Sequence, residues 1–437
     1  MKKQLAAILC LTLASMSFAG CSVAEAPAGA AQPAAAEETP AGEDSQESEA
    51  LHGKLVMMTN SSGGTYDAVE EIVNRFMELN PDVEIEFSTQ GSDYESLMKA
   101  KMAANDLPDV FATHGWSVAR YSEYLIPLND EPWFSSLDPE VLPVISDEDG
   151  AVYTLPLNVD KAGMIYNTAI LEELGEEVPT DWEAFTNVCE KAKNAGYTPI
   201  YLAGKDAGKT AGVLNILLNS FLAAPSDNAV DALKSGNIEE DLFVPTFSFL
   251  TDLRDNGFFN VDYVTADPSG IPEKLASGQV LFALESNATM ADAYNLNPDA
   301  TLSMMPVPAI SQDEDVFLTG GEKEAYGIWK DSENIELAKA LLDFMAQPEN
   351  IEKVSAASGM PVSMTNAVGN LGRIQESFDR YNDIRVLNKF DRECFPNGMW
   401  STMKTVGTSL IAGDVDAEKA SEMFYVDYKS LFAQQEQ

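Results

Sequence analysis

Histidine and cysteine are scarce in this chain, with two and four residues among 437. A zinc site or a histidine-based catalytic triad needs more partners than His52 and His114 provide, so no metal and no other cofactor is expected. Basic side chains are also few, because 27 Lys and Arg against 70 Asp and Glu give a formal net charge of −43. A surface this acidic repels nucleic acid and anionic lipid headgroups, and no nucleic-acid partner is expected.

Long apolar runs are missing after the first twenty residues, and the run at the N-terminus is short. Two lysines precede an apolar stretch from Leu5 to Phe18, whereas a bilayer span needs roughly 20 apolar residues. Residues 1–20 are therefore predicted to be a cleaved export signal. Small residues lead into Cys21, and this junction resembles the bacterial lipobox, in which the signal is cut before a cysteine that carries lipid. The alternative is an ordinary secretory signal with an incidental cysteine.

The segment after Cys21 has the composition of a flexible leash. Residues 22–50 contain seven acids and neither Lys nor Arg, and the remainder is mostly Ala, Gly, Pro, Ser and Gln. Such a segment cannot bury enough apolar surface to offset its chain entropy, so it is expected to be disordered. Residues 21–52 are therefore predicted to be a lipid-anchored acidic linker. It would hold a folded part on the outer face of the cytoplasmic membrane or in the periplasm.

The rest of the chain alternates strand-like and helix-like patterns. Residues 54–59 form an apolar strand, and residues 66–79 carry apolar side chains at helical spacing. A second strand is predicted at 83–87, a helix at 93–104 and a third strand at 107–113. Strands joined in this way by helices run parallel with the helices packed on the sheet faces, which predicts an α/β fold. The length after the linker favours two lobes.

Two cysteines remain in the folded part, Cys189 and Cys394. They lie far apart in the sequence. In an oxidising compartment they could form a disulfide, and two free buried thiols are the alternative.

Several stretches, taken in order, resemble the extracellular solute-binding proteins of ABC importers, especially the carbohydrate-binding branch that includes the maltose-binding protein. The resemblance covers about residues 53–430, and its specificity lies in the ordered set rather than in one motif. The stretches are LPDVFA (107–112), TLPLNVDKAGMIYNTAILEELGEEVPTDWEAF (154–185), GYTPIYLAGKD (196–206), LASGQVLFAL (275–284) and GGEKEAYGIWKDSENIELAKALLDFM (320–345).

The resemblance implies a type II periplasmic-binding-protein fold, in which two α/β lobes joined by a hinge close on a ligand in the cleft between them. It implies that lobe one comprises residues 53–158 and 307–353, and that lobe two comprises residues 162–303 and 358–437. The loaded form would dock on the permease subunits of an ABC transporter. A monomer is expected.

Three candidate ligand-binding residues follow from the chemistry of sugars together with the resemblance. A sugar pocket needs flat aromatic rings for the C–H faces and polar side chains for the hydroxyls. Trp116 follows the carboxyl end of a predicted strand, where ligands of open α/β sheets bind. Trp400 matches a family position where an aromatic ring stacks on the ligand, and Asp160 matches a ligand-contacting acid at the first crossing. Core packing, for the rings, and a hinge role, for the acid, are the structural alternatives.

Seven further candidates lie in predicted loops that would face the cleft. Two of them flank a helix N-terminus with free N–H groups, and the others follow strands of lobe two or lie in a glycine-rich loop. A turn is the alternative for Ser62, Tyr66 and Gly321, and a solvated charge pair is the alternative for Lys205 and Asp206. They are Ser62, Tyr66, Lys205, Asp206, Glu285, Asn287 and Gly321.

The sequence therefore predicts a binding protein without catalysis that captures a solute, a mono- or oligosaccharide, for an ABC permease. A polyamine, a peptide or a polyol is the alternative solute. A secreted glycosidase is the alternative class. With 70 acids in the chain a pair of carboxylates can be found anywhere, and no spacing singles out an acid and a nucleophile.

Overall fold

The computed structural model describes residues 50–435 apart from residues 140, 148 and 382. The predicted signal peptide, the predicted lipidation at Cys21 and the predicted linker up to residue 49 lie outside the described residues. Within the described part, the helices are all too short or too polar to cross a membrane.

Twelve strands form three sheets in the described part of the chain. In chain order they are β1 (Gly53–Thr59), β2 (Val83–Thr89), β3 (Val110–Ala112), β4 (Leu155–Pro156), β5 (Val159–Ala162), β6 (Met164–Asn167), β7 (Thr198–Ile200), β8 (Val280–Ala283), β9 (Leu302–Met305), β10 (Leu318–Glu322), β11 (Ala325–Ile328) and β12 (Val386–Asn388).

Sixteen α-helices cover these sheets in the same described ranges. They are α1 (Gly63–Leu79), α2 (Tyr94–Ala104), α3 (Leu142–Ile145), α4 (Thr168–Glu173), α5 (Trp182–Asn194), α6 (Ala207–Leu218), α7 (Val230–Lys234), α8 (Val244–Asp255), α9 (Ile271–Ala276), α10 (Asn287–Leu296), α11 (Ile335–Met345), α12 (Pro348–Ser358), α13 (Gln375–Arg380), α14 (Phe390–Cys394), α15 (Met399–Ala412) and α16 (Ala417–Gln435).

Lobe one is built on a five-stranded sheet of order β2-β1-β3-β11-β4. Strand β1 runs parallel to β2 and β3, whereas β11 runs antiparallel to β3 and β4. The predicted parallel sheet is thus a mixed one, because β11, from a distant part of the chain, runs antiparallel to its two neighbours. Helix α1 buries Val69, Ile72, Val73 and Phe76, which recur at helical spacing and join the core of this lobe.

Lobe two is built on a four-stranded sheet of order β7-β8-β6-β9. Helix α5 begins where the Asp181 carboxylate accepts a hydrogen bond from Ala184 N at 2.8 Å, which satisfies a free donor of its first turn. Trp182 follows, is buried in the lobe-two core, and donates from Nε1 to Ser220 Oγ at 2.8 Å. The two lobes therefore have separate hydrophobic cores.

A small sheet of order β12-β10-β5 joins the lobes. Strand β5 leads from lobe one into lobe two, and the antiparallel β10 leads back, with Asp160 paired to Gly321. A Cβ on Gly320 would overlap the Val386 side chain and lie 2.8 Å from the Asp160 carbonyl oxygen, so this close pairing requires glycine. The strands that carry the chain between the lobes thus also place Asp160 in the cleft.

The packing differs from the predicted lobe boundaries at two places. Val307 and Phe317 pack in the lobe-two core, although residues from 307 onward were predicted in lobe one. The backbone explains this, because Ala309 exchanges hydrogen bonds with the chain that leads into α5. Met364 and Ala367, predicted in lobe two, pack in the lobe-one core. The chain therefore returns to lobe one through β10 and crosses again to lobe two after Ala367.

Cys189 and Cys394 are free and buried. Burial raises the pKa of the Cys189 thiol well above its ordinary value. Burial, with the nearby Glu393 carboxylate, raises the pKa of Cys394 to about 12. Of the two alternatives left by the sequence, the structure has the free thiols, and both are protonated and unreactive at neutral pH.

Candidate functional site

A cavity of about 280 Å³ lies between the lobes, beside β5 and β10. Charged and aromatic side chains from both lobes line it, and small residues of β5, α6 and the loop after β8 fill the spaces between them. The charged and aromatic lining residues are Tyr94, Glu95, His114, Trp116, Arg120, Asp160, Lys209, Glu285, Lys323, Lys389, Asp391, Arg392 and Trp400.

Asp160 is the most deeply placed acid of the cavity, with 2% of the residue exposed. Its Oδ2 lies 2.5 Å from Lys389 Nζ, while its Oδ1 has no hydrogen-bond donor among the described residues. Burial raises the pKa of Asp160, but the ammonium groups of Lys389 and Lys323 outweigh burial and keep the pKa below its ordinary value. Asp160 is therefore an ionised acceptor whose Oδ1 is unpaired and buried beside the cavity.

Lys389 follows β12 and forms the other half of this pair. Burial lowers the pKa of Lys389 to about 8, and the charge of Asp160 opposes that effect. At neutral pH the ammonium form still predominates. The pair is therefore a polar platform in which Lys389 holds Asp160 in place for a ligand.

A second polar cluster links the two lobes through His114. Burial, and then the charge of Arg392, hold the pKa of His114 well below its ordinary range, so the ring is neutral. Arg392 Nη2 of lobe two lies 2.9 Å from Nδ1, and Glu95 Oε1 lies 2.6 Å from Nε2. Because arginine only donates, Nδ1 must accept and the Nε2–H must donate to Glu95. Arg392 also donates to the carbonyl oxygen of Glu322 at 2.8 Å.

Trp116 and Trp400 supply the aromatic surfaces of the cavity. Trp116 lies in the turn after β3, where Gly115 has a φ of 101°, a value that favours glycine. Only 5% of Trp116 is exposed, and the Arg120 guanidinium lies 3.8 Å from the centre of its ring. Trp400, in the first turn of α15, is half-buried and lines the cavity from lobe two. The Arg120 guanidinium thus covers one face of the Trp116 ring, whereas the half-buried Trp400 ring lines the cavity.

Four of the ten predicted ligand-binding residues line this cavity: Trp116, Asp160, Glu285 and Trp400. Glu285 is paired with Lys209 at 2.6 Å.

Two other predicted residues, Lys205 and Asp206, lie apart from the cavity. Lys205 Nζ lies 2.5 Å from Asp267 Oδ2, and Asp206 accepts from Gly208 N at 2.8 Å as the N-cap of α6. Both line a separate pocket at the surface. Lys205 is thus a solvent-exposed charge in an ion pair, and Asp206 is a helix cap.

The last four predicted residues also lie outside the cavity lining. Ser62 is exposed at the start of α1, and Tyr66 stacks on Phe87 with ring centres 5.0 Å apart. Asn287 is fully buried and donates to the carbonyl oxygen of Lys161 at 3.3 Å. Gly321 lies in β10 opposite Asp160. Ser62 lies in the turn before α1, Tyr66 packs on Phe87, Asn287 is part of the buried interior, and Gly321 belongs to the sheet that joins the lobes.

None of the basic lining residues was predicted from the sequence. Two of them, Lys389 and Arg392, come from the stretch KFDREC (389–394), which places two cations three residues apart in a chain with few cations. The sequence has other closely spaced cations, such as Lys99 with Lys101 and Lys191 with Lys193, so this spacing alone does not identify the site. His114 and Arg120 lie on either side of the predicted Trp116, and their roles depend on contacts with lobe two.

Comparison with known proteins places this architecture in a family. The model of the bacterial extracellular solute-binding proteins matches residues 60–352. The melibiose/raffinose/stachyose-binding protein of Bacillus subtilis is 31% identical over 386 residues, which are 87% of this chain and 90% of the relative.

Two solved structures are similar over most of the chain. A sugar transporter protein of Bacillus licheniformis in complex with stachyose has a TM-score of 0.84 and 32% identity, covering 87% of this chain and all of that one. A binding protein of Bacillus subtilis in an open conformation has a TM-score of 0.77 and 30% identity, covering 88% and 99%. The predicted type II fold with two α/β lobes is confirmed. The chain belongs to the bacterial extracellular solute-binding proteins, the family that its motifs predicted.

Proposed function

We propose that this protein captures an oligosaccharide outside the cytoplasm and delivers it to the permease of an ABC transporter. The observation that carries the proposal is a cavity between two lobes that combines a tryptophan face with the unpaired Oδ1 of Asp160. The Bacillus subtilis relative that is 31% identical is a melibiose/raffinose/stachyose-binding protein, and the Bacillus licheniformis protein was crystallised with stachyose. These sugars share a terminal galactosyl unit, and an oligosaccharide of that kind is the proposed ligand.

The chemistry of the cavity suits sugar hydroxyls and ring faces. When the lobes open and uncover the Asp160 side chain, a hydroxyl can donate to its Oδ1 and accept from the neighbouring Lys389, and charge-assisted hydrogen bonds of this kind are short and strong. The ring of Trp400 can pack on an apolar sugar face. One site therefore offers the two kinds of contact that a sugar needs.

The local charge of the cavity argues against a polyamine. Although the chain carries a net charge of −43, most acids of the cavity already have a cationic partner. Asp160 pairs with Lys389, and Glu285 pairs with Lys209. A polycation would have to displace these lysines, whereas a neutral sugar can bind beside them.

We propose further that the protein acts by binding alone. A glycosidase uses a protonated acid with a raised pKa opposite a second carboxylate. The Lys389 and Lys323 charges keep the pKa of Asp160 below its ordinary value, so it is a poor proton donor. Raffinose recovered unchanged after long incubation with the protein would support this; release of galactose would contradict it.

Closure of the two lobes is the proposed capture step. Arg392 of lobe two contacts His114 of lobe one, and Lys404 of α15 lies 3.3 Å from Asp93 Oδ1 of lobe one. Such contacts can exist only when the lobes approach each other. A hinge movement about β5 and β10 would break and remake them as the ligand leaves and enters.

A lipid anchor at Cys21 is the proposed means of retention at the membrane, and Cys21→Ser tests it. We expect the variant to lose labelling by radioactive palmitate and to move from the membrane fraction to the soluble fraction, because serine has no thiol to carry the lipid that anchors the chain. Cys10→Ser is the matched control, since Cys10 lies inside the predicted signal peptide and should leave anchoring intact. An unlabelled wild-type chain would contradict the proposal.

Trp400→Ala tests the sugar-binding function. We expect the affinity for raffinose to fall about tenfold, or about 1.4 kcal/mol, because the variant removes a ring face from the cavity. Isothermal titration calorimetry measures the change, and circular dichroism checks that the fold is retained.

The matched control for that experiment is Trp400→Phe, which keeps an aromatic face. It should bind raffinose within about threefold of the wild type. Wild-type affinity in the alanine variant would exclude Trp400 from the binding site.

A further inference from the structure

A second chamber opens beside the cavity that we assign to the sugar. Its volume is about 560 Å³, against about 280 Å³ for the cavity itself. It lies between α2 of lobe one and the α15–α16 pair of lobe two, and its wall includes Lys99, Met102, Ser401 and Leu431. The two chambers share three lining residues, which are Glu95, Arg120 and Trp400.

The Arg120 side chain stands at this shared boundary and is held from both lobes. It pairs with Glu95 of α2, and its Nε donates to Asn397 Oδ1 of lobe two at 3.0 Å. Its guanidinium stacks on the Trp116 ring, and only 10% of the side chain is exposed. A side chain fixed by an ion pair, a hydrogen bond and a ring contact acts as a wall rather than as a mobile surface group.

We propose that Arg120 determines the length of sugar that the cleft prefers, an inference that rests on the proposed sugar-binding function. With Arg120 in place, the cavity ends at the guanidinium and accepts a short sugar. A longer oligosaccharide has to displace the guanidinium before its next ring can pass Trp400 into the second chamber. Arg120 is thus a specificity-determining residue.

The contacts of Arg120 explain why its displacement discriminates between lengths. Moving the guanidinium breaks its ion pair with Glu95 and leaves that half-buried carboxylate with the neutral His114 ring in place of a cation, which is unfavourable. It also breaks the hydrogen bond to Asn397. In return it uncovers the face of Trp116, on which a sugar ring can stack in place of the cation. The affinity for a long sugar therefore includes both the cost of breaking the Arg120 contacts and the gain from stacking on Trp116. The affinity for a short sugar includes neither contribution.

Arg120→Ala tests this inference in the full chain. Isothermal titration calorimetry gives the affinities for melibiose, raffinose and stachyose, which are a disaccharide, a trisaccharide and a tetrasaccharide. We expect the affinity for stachyose relative to melibiose to rise about tenfold in the variant. The matched control is Arg75→Ala, because Arg75 is an exposed arginine of α1 whose ion pair lies with Glu78 on the same helix. That control should keep the wild-type ratio.

Two further variants keep the test decisive if Arg120→Ala folds poorly. Arg120→Lys keeps the charge beside Glu95 but lacks the planar group that stacks on Trp116, and it should raise the same ratio by a smaller factor. Ser401→Trp places a large ring in the second chamber and should lower the affinity for stachyose about tenfold more than that for melibiose. An unchanged ratio in all three variants would overturn the inference. Failure of the wild type to bind any of these sugars would overturn the proposed function, and the inference with it.

Discussion

Asp160→Asn is expected to weaken raffinose binding about 100-fold, or about 2.7 kcal/mol. The substitution removes the charge of a buried acceptor whose Oδ1 has no partner among the described residues and whose Oδ2 is held by Lys389. A hydrogen bond to a charged group contributes about 1.5–3 kcal/mol, and an amide can replace only part of it. Isothermal titration calorimetry at pH 7 measures the change.

The same variant should also change how stability depends on pH. Burial lowers the pKa of Lys389 to about 8, and Asp160 is the main charge that opposes this shift. Without Asp160 the pKa of Lys389 falls further in the folded state but keeps its ordinary value in the unfolded state. Between the two pKa values the unfolded chain binds more protons, so the free energy of unfolding rises with pH. From pH 6 to pH 8 the melting temperature of the variant should rise relative to that of the wild type.

Asp181→Asn is the matched control for both measurements. Asp181 is equally buried, with 2% exposed, but it caps α5 in lobe two and lies outside the cavity lining. It should lower stability by only about 0.5 kcal/mol, because the amide oxygen still caps the helix and only the charge interaction with the helix N-terminus is lost, and it should leave the raffinose affinity unchanged. If Asp160→Asn behaves like Asp181→Asn, the carboxylate of Asp160 is a hinge residue and does not contact the sugar.

The elements of the fold were largely predictable from periodicity. The strand predicted at 54–59 is β1, and the helix predicted at 66–79 is α1 with one more turn at its start. The partners of β11 were not predictable in the same way. It pairs with β3, more than two hundred residues earlier, and local patterns carry no information about such distant pairing.

The candidate site was predictable only in part. Trp116 and Asp160 lie in segments whose family pattern is visible in the sequence, and both line the cavity. Lys389 lies in a stretch that the motifs do not cover. It reaches Asp160 because β12 pairs with β10 and β10 pairs with β5, so three strands from distant parts of the chain meet. Lys205 lies on a loop that was predicted to face the cleft, but its nearest charge is Asp267.

Gly163→Ala is expected to lower the free energy of unfolding by about 3 kcal/mol. Gly163 lies between β5 and β6, where the chain enters lobe two beside β9. A Cβ at this position would overlap the carbonyl oxygen of Met305 and lie 3.0 Å from Met304 Cγ. Met305 is fully buried and paired with Met164, so its backbone cannot move aside without breaking the β6–β9 ladder. Urea denaturation followed by circular dichroism gives the change.

Substitution by alanine should raise the free energy of unfolding at a glycine where an added Cβ has space. Gly212 lies inside α6, and a Cβ there would meet no atom within 4 Å. Gly212→Ala should therefore stabilise the protein by about 0.5–1 kcal/mol, because alanine loses less chain entropy than glycine when a helix forms.

A urea midpoint for Gly163→Ala equal to that of the wild type would mean that β6 and β9 do not pack closely around Gly163. The backbone around Gly163 could then move without a loss of stability. The contact between Gly163 and Met305 would therefore not be what fixes the position of Asp160, three residues earlier.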